Sequence, residues 1–148
     1  MTNKTETTAT EFSTEDLVGS STTKQAETKN TSKTKSKKTK TNKVAVLKHP
    51  LSTLPEYKTK GSAGCDVYAN INLPMWIKPG ETKLVPTGLR VKIPEGYEIQ
   101  VRSRSGLSLK KGLVVLNAPG TIDSDYPDEI GLIMHNFGSH NVEVKKND

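Results

Sequence analysis

Three short segments of the sequence carry residues whose types and spacing could do chemistry. The first is GSAGCDVY at residues 61–68, in which glycines and small side chains lead to a single acid, Asp66. Glycine lets a ligand approach the backbone closely, and Mg²⁺ keeps several of its waters while it meets a protein through one or two carboxylates. We therefore expect Asp66 to hold a hydrated cation, with a plain glycine-rich turn as the structural alternative.

The second segment is VRSRSGLSLKKG at residues 101–112, which places Arg104, Ser105 and Gly106 where a strand could pass into a helical turn. A guanidinium group, a hydroxyl and backbone N–H groups at a helix start are the donors that a polyphosphate needs. This segment predicts a phosphate-binding turn. The alternative is an ordinary capped turn with a solvated basic face.

The third segment is LNAPGTIDSDYPDEI at residues 116–130, which we interpret as a β-hairpin whose bend carries Asp123 and Tyr126. An acid and an aromatic ring in such a bend can reach one pocket, the first to activate a water and the second to pack on a flat or saturated ring. The alternatives are a plain acidic turn or a loose cation loop, although the spacing differs from that of an EF-hand.

Short strands must position these segments, because from residue 44 onward the chain consists of short apolar or alternating runs separated by Pro and Gly. At most one helical turn is expected, near residues 105–111. This pattern predicts an all-β sandwich or jelly roll. The predicted strands are residues 44–47, 66–71, 82–86, 89–93, 97–102, 113–116, 121–123, 130–136 and 141–144.

The composition divides the chain into two parts at residue 43. Residues 1–43 hold nine Lys, five acidic residues and thirteen Thr, which predicts a disordered Lys/Thr-rich tail that carries +4 of the total charge of +6. Residues 44–148 are nearly balanced in charge and form the predicted β domain. The run of seven Lys in residues 29–43 could contact nucleic acid, although a solvated tail that binds nothing specific fits equally well.

Several other kinds of site and location are excluded by the sequence. It contains no GxxxxGK[ST], GxGxxG, GxSxG or HExxH pattern, and its longest apolar run, at residues 130–134, is too short to span a bilayer. The single Cys65 cannot form an internal disulfide, and we interpret it as a small buried residue rather than a nucleophile. These features predict a soluble, intracellular protein of the cytoplasm or nucleus.

Taken together, in this order and spacing, the three segments resemble those of the trimeric dUTPases, the deoxyuridine triphosphate diphosphatases. SAGCD is similar to the family's first motif, RSGLS to its second and GTIDSDY to its third, and the similarity runs from residue 44 almost to the end. The resemblance implies a dUTPase-like jelly roll, a homotrimer with sites shared between subunits, and Mg²⁺ as the cofactor.

The resemblance also implies a reaction, in which dUTP is hydrolysed to dUMP and pyrophosphate by a water that attacks the α-phosphorus. Asp123 would then be the general base, and Tyr126 would pack on the deoxyribose. Asp66 would hold Mg²⁺ through water. The phosphates would be held by the second motif, through Arg104, Ser105 and Gly106.

Uracil recognition is implied at four further residues of the third segment: Asn117, Thr121, Ile122 and Gly131. Uracil shows acceptor, donor and acceptor groups along its pairing edge, and a β-hairpin backbone can complement this pattern. Cytosine would leave buried groups unpaired, and the methyl group of thymine would clash. The related dCTP deaminases share the fold, but Asp123 with Tyr126 favours the dUTPase branch.

The sequence departs from the family pattern at two places. Pro127 and Asp128 follow Tyr126 where many members have Arg and Gly, which removes an expected ion pair but no catalytic group. The sequence also ends before the family's fourth and fifth motifs, so we expect a fragment with weak activity on its own. The alternative is a non-catalytic dUTPase-like module that binds a nucleotide or a protein partner.

Overall fold

The computed structural model describes residues 8–13 and 43–148 of the chain, and within them ten short strands and one helix. Because every element of the described part except this one helix is a strand, the all-β prediction is confirmed. All the strand pairs described are antiparallel. The elements in chain order are β1 (Thr8–Ser13), β2 (Lys43–Lys48), β3 (Met75–Ile77), β4 (Thr82–Pro86), β5 (Leu89–Lys92), β6 (Ile99–Val101), α1 (Ser105–Lys111), β7 (Leu113–Val115), β8 (Gly120–Ile122), β9 (Gly131–Asn136) and β10 (Val142–Val144).

The described strands form four small sheets. Their strand orders are β1-β2-β5, β10-β3, β4-β9-β7 and β6-β8. The second motif begins at the end of β6 and the third begins with β8, so the pairing of these two strands decides how the two motifs lie relative to each other.

One hydrophobic cluster joins two of these sheets. Along β7 the side chains alternate between buried and partly exposed, as the period of two in a strand requires. Ala69 and Ile71 enter the same cluster from an irregular segment that follows Asp66. The buried members of the cluster are Ala69, Ile71, Ile77, Val85, Leu113, Val115, Met134, Val142 and Val144.

The predicted strands agree with the structure except near the first motif. The strand at 82–86 is confirmed at the same bounds, and those at 44–47, 89–93, 97–102, 113–116, 121–123, 130–136 and 141–144 are confirmed with shifted ends. The predicted strand at 66–71 is wrong, because its alternating burial comes from a loop that packs on the core. The three-residue strand Met75–Ile77 is not among the predicted strands.

Part of the predicted tail is a strand in the structure. Thr8–Ser13 pairs with β2 along six residues, from Thr8 opposite Lys48 to Ser13 opposite Lys43. The physical reason is that β2 offers an unpaired edge, and a chain of any polarity can fill it through its backbone. The rest of the tail, including nearly all of the Lys-rich stretch at 29–43, lies outside the described residues, so its predicted disorder and nucleic-acid contact stay predictions. Among the residues described, no helix has the length and hydrophobicity of a transmembrane span.

Candidate functional site

The first motif lies in a loop of residues 56–66, whose two ends are joined by a β-bridge between Glu56 and Asp66. Each residue donates its backbone N–H to the carbonyl oxygen of the other, at 3.0 Å for the Glu56 N–H and 2.8 Å for the Asp66 N–H. Within the loop, Gly61 and Gly64 lie in open space, with nothing within 4 Å of where a Cβ atom would stand. The loop therefore presents the Asp66 carboxylate at its base beside an open surface.

Three side chains close the base of this loop. Lys58 Nζ donates to Glu56 Oε2 at 2.6 Å and to the Tyr68 hydroxyl oxygen at 2.5 Å, and the Tyr68 hydroxyl donates to the same Glu56 oxygen at 2.7 Å. The hydrogen bond from Lys58, followed by that from Tyr68, lowers the pKa of the Glu56 carboxyl, and the bond to Glu56 raises the pKa of Lys58. This cluster is not predicted from the sequence, because only the bridge at Asp66 brings the three residues together.

Cys65 is exposed, which corrects the prediction that it is buried. It lies in the loop just before the bridge at Asp66, outside any strand whose alternation would turn it inward. Desolvation by the surrounding chain nevertheless raises the pKa of the thiol. A raised pKa disfavours the thiolate at neutral pH, which agrees with the prediction that Cys65 is not a nucleophile.

The second motif passes from strand to helix, as the sequence predicts. Arg104 is extended (φ −82°, ψ 126°) at the N-cap, and α1 follows for seven residues until Gly112 ends it at φ 65°. The first N–H groups of a helix have no partner within it, which leaves the exposed Ser105 and Gly106 amides available to a ligand. Arg104 Nη1 lies 3.5 Å from Asp66 Oδ2, so the first and second motifs meet.

The third motif turns immediately after β8. The Tyr126 N–H donates to the Asp123 carbonyl oxygen at 3.1 Å, which closes a turn over residues 123–126. The Tyr126 side chain is 38% exposed, and its hydroxyl donates to the Glu129 carbonyl oxygen at 3.1 Å. Asp123 is exposed, and its carboxylate forms no hydrogen bond within the described part of the chain. The turn thus offers a carboxylate and an aromatic ring to solvent.

The pairing of β6 with β8 separates this turn from the other two motifs within one chain. Val101 lies opposite Gly120 in the antiparallel pair. The chain leaves Val101 toward Arg104 at one end of the pair, and it leaves Ile122 toward Asp123 at the other end. No hydrogen bond or ion pair among the described residues joins the turn at 123–126 to the first or second motif.

The four residues expected to recognise uracil lie between the end of β7 and the start of β9, in or beside two different sheets. Thr121 and Ile122 belong to β8, and Asn117 lies close by, with its amide nitrogen 3.2 Å from where a Cβ atom on Gly120 would stand. Gly131 belongs to β9, which pairs with β4 and β7 instead. The predicted hairpin of residues 116–130 is confirmed in part: β7 and β9, which flank it, pair antiparallel, and the Leu116 N–H donates to the Ile133 carbonyl oxygen at 2.8 Å. Within it, however, β8 pairs with β6 and not with β9.

A large apolar cavity lies next to the meeting point of the first two motifs. Its volume is about 850 Å³, and its lining runs from Asp66 and Arg104 to members of the hydrophobic cluster such as Val85. The turn at 123–126 contributes nothing to this lining. Apolar walls cannot replace the hydration of a triphosphate, so the exposed motif residues, rather than this cavity, form the candidate site.

The donor set at Asp66 suits a hydrated metal ion. No group of three or more His, Cys, Asp or Glu side chains within residues 43–148 could hold a metal. Asp66 offers one carboxylate, next to the guanidinium of Arg104. This arrangement fits Mg²⁺ that keeps its waters and meets the protein through one of them, but not an ion bound in an all-protein cage.

Comparison with known proteins identifies similar sequences. A family model described as dUTPase matches residues 51–148. The deoxyuridine 5'-triphosphate nucleotidohydrolase of Chlamydia pneumoniae is 61% identical over 85 residues, which cover 57% of this chain and 59% of that protein. The protein of the same name from Orientia tsutsugamushi (strain Boryong) is 57% identical over 93 residues, 63% of each chain. The chain thus spans less than two thirds of the length of these curated relatives.

Solved structures resemble the chain in fold. The dUTPase from Streptococcus mutans gives a TM-score of 0.61 at 30% identity, covering 68% of this chain and 85% of that one. A dUTPase variant from phage phi11 of S. aureus, described as revealing the coordination of a structural Mg(II) ion, gives 0.57 at 32% identity, covering 64% and 60%. These likenesses confirm the predicted dUTPase-like fold.

Proposed function

The chain belongs to the dUTPase family, and we propose that it hydrolyses dUTP to dUMP and pyrophosphate. The observation that carries the proposal is the 3.5 Å contact between Arg104 and Asp66. It brings a guanidinium group that suits phosphate and a carboxylate that suits hydrated Mg²⁺ to one exposed place. The first amides of α1 begin at the next residue along the chain.

The second motif holds the triphosphate in this proposal. The Arg104 side chain is 58% exposed and can exchange its contact with Asp66 for phosphate oxygens. The Ser105 hydroxyl and the amides of Ser105 and Gly106 add neutral donors at the start of α1. Donors that are in place before the reaction stabilise the negative charge that builds on the leaving pyrophosphate.

Asp66 would hold Mg²⁺ through one of the waters of the ion. Bound Mg²⁺ would neutralise part of the charge on the triphosphate oxygens. Asp66 is 20% exposed and its backbone is fixed by the bridge to Glu56, so the carboxylate is accessible but held in place. Its position beside Arg104 means that cation and phosphate binding share one surface.

Asp123 acts as the general base. It removes a proton from the water whose oxygen forms a bond to the α-phosphorus, while the bond to the bridging oxygen breaks and pyrophosphate leaves. The carboxylate is exposed and has no hydrogen-bond partner within the described part of the chain, so it is available for this role. Tyr126, on the same turn, packs against the deoxyribose and leaves no room for a 2′-hydroxyl.

Uracil is recognised near β8 in this proposal. Asn117, Thr121 and Ile122 supply backbone and side-chain groups for its pairing edge. Gly131 is the least well supported member of the set, because it lies in a different sheet from Thr121 and Ile122.

We also propose that the active unit is a homotrimer in an intracellular compartment. The support for an assembly is the separation of Asp123 from Arg104 at opposite ends of the β6-β8 pair. A site that needs both groups can be completed when the 123–126 turn of one subunit meets the first two motifs of another. Light scattering on the purified chain tests the trimer.

The proposed activity is tested by pyrophosphate release from dUTP with Mg²⁺. We expect Asp123→Asn to lower kcat by about 100-fold or more, since general-base catalysis contributes about 10²–10⁴. Asp125→Asn, on the same exposed turn, is the matched control and should retain activity near that of the wild type.

The alternative, a non-catalytic module, makes a different prediction. It requires that the wild-type chain releases no pyrophosphate from dUTP, whether the chain binds a non-hydrolysable dUTP analogue or a protein partner. Equal rates for the wild type and Asp123→Asn would contradict the assignment of Asp123 as the base.

A further inference from the structure

We propose that Glu129 is a positioning residue for Tyr126, and through that ring for the choice of deoxyribose over ribose. The inference rests on the proposed function, because it concerns how the same site recognises its sugar. Glu129 belongs to the segment of the third motif but was not singled out by the sequence analysis. Two contacts, one through its backbone and one through its side chain, carry the inference.

The backbone contact holds the aromatic ring. The Tyr126 hydroxyl donates to the Glu129 carbonyl oxygen at 3.1 Å, which ties the outer end of an exposed side chain to the chain three residues later. The inner end of the ring is set by the turn that the Tyr126 N–H closes onto Asp123. The direction of the ring therefore depends on where the Glu129 carbonyl lies.

The side-chain contact holds Glu129 itself. Its Oε1 accepts the backbone N–H of Gly88 at 2.7 Å, in the turn between β4 and β5. The Gly88 carbonyl oxygen accepts hydrogen bonds in turn from the buried Ser52 hydroxyl and from the His49 N–H. The carboxylate of Glu129 is thus bonded to a turn that is fixed on its other side as well.

This turn between β4 and β5 is rigid because it is buried and its polar groups are paired. Thr87 is 0% exposed, and its hydroxyl donates to the Ile130 carbonyl oxygen at 2.6 Å and accepts the Leu89 N–H at 3.2 Å. The Ile130 N–H donates to the Leu89 carbonyl oxygen at 2.8 Å. Breaking such buried bonds is costly, so the turn resists displacement.

Glu129 consequently connects a rigid buried turn to an exposed ring. Residues 127 and 128 between the ring and the anchor are exposed. Without the bond to Gly88, the peptide unit that carries the Glu129 carbonyl keeps only the bond from the Ile130 N–H to the Leu89 carbonyl oxygen, so it can tilt about that bond. The Tyr126 ring then closes the space at the sugar 2′ position less tightly. Loss of the anchor should therefore weaken discrimination against UTP more than it weakens turnover of dUTP.

The test compares kcat/KM for dUTP and for UTP in the wild type and three variants. Glu129→Ala removes the acceptor for Gly88 and should lower the dUTP/UTP ratio of kcat/KM about tenfold, the value of one hydrogen bond to a charged group. Glu129→Gln keeps an oxygen acceptor and should retain the ratio within about threefold. Asp128→Ala removes the neighbouring exposed acid and is the matched control, with an unchanged ratio.

Tyr126→Phe tests the same inference from the other side of the hydrogen bond between Tyr126 and Glu129. It keeps the ring and removes only the hydroxyl that Glu129 holds, so it should lower the ratio, and adding Glu129→Ala to it should lower the ratio little further. An unchanged dUTP/UTP ratio in Glu129→Ala would overturn the inference. So would an equal fall of kcat/KM for dUTP and for UTP in both Glu129→Ala and Glu129→Gln. Absence of dUTP turnover in the wild type would instead refute the proposed function, and the inference with it.

Discussion

The two halves of the candidate site are held in place in different ways. The phosphate and metal half, with Asp66 and Arg104, is held by one contact between the exposed Arg104 and the partly buried Asp66, and by one backbone bridge. The sugar half, with Tyr126, is anchored through Glu129 to a turn in which Thr87 and Leu89 are almost fully buried. The side-chain contact of the phosphate and metal half can rearrange, whereas the sugar half is hydrogen-bonded to a buried turn.

This difference matches what each half must do. The Arg104 guanidinium is 58% exposed and meets Asp66 in a single 3.5 Å contact, so Arg104 can exchange that contact for a phosphate oxygen. A group that excludes a 2′-hydroxyl must instead keep its place when a ligand pushes against it. Buried hydrogen bonds supply that resistance, because an unpaired buried polar group costs about 1–3 kcal/mol.

The largest expected effect is on the buried turn, where Gly88 has φ +66° and a Cβ atom would overlap the Ser52 hydroxyl. Gly88→Ala should lower the free energy of unfolding by about 2–5 kcal/mol, from about 1–2 for a left-handed residue and about 1–3 for overpacking. Gly80→Ala is the matched control, with φ +73° and open space around it, and should cost only about 1–2 kcal/mol. Denaturant unfolding measures both, and equal losses would show that this turn is not tightly packed.

A smaller effect, of a different kind, is expected on the exposed half. Arg104→Ala should lower kcat/KM for dUTP about 10- to 100-fold, because it removes charge-assisted hydrogen bonds to phosphate. It should change the free energy of unfolding by about 1 kcal/mol at most, since the Arg104 side chain is 58% exposed and makes a single 3.5 Å contact with Asp66. Arg102→Ala, whose guanidinium donates to Gln100 at 2.6 Å, is the matched control with activity near that of the wild type. A large loss of stability in Arg104→Ala would contradict the contrast between the halves.

The smallest effect concerns the cluster at the base of the first loop. Hydrogen bonds from Lys58 and Tyr68 hold the pKa of Glu56 below its ordinary value of 4.5. Glu56 therefore contributes stability that is fully present above pH 4.5 and is lost as the pH falls through the lower folded pKa. Lys58→Met should move the pKa of Glu56 up toward 4.5, as NMR titration of the carboxyl would show. Lys60→Met, two positions along the loop, should leave it unchanged.

Sequence patterns predicted elements well where local spacing decides them. The strand at 82–86 alternates its burial, and the helix at 105–111 begins after an extended Arg104 and ends at a glycine, so both are encoded by neighbouring residues. The strand Met75–Ile77 was missed because three residues carry too little alternation to detect. The strand predicted at 66–71 is wrong because Ala69 and Ile71 are buried in the core, as residues of a strand would be, although they belong to a loop.

The residue types needed for phosphate, metal and general-base chemistry were determined by the sequence itself, together with their order in three short motifs. Which of them meet was decided only by the tertiary structure. It brings Asp66 to Arg104, sends Asp123 to the other end of the β6-β8 pair, and ties Glu129 to Gly88. The physical reason is that strand register and turn anchoring depend on backbone hydrogen bonds between distant segments, and backbone groups are the same at every residue.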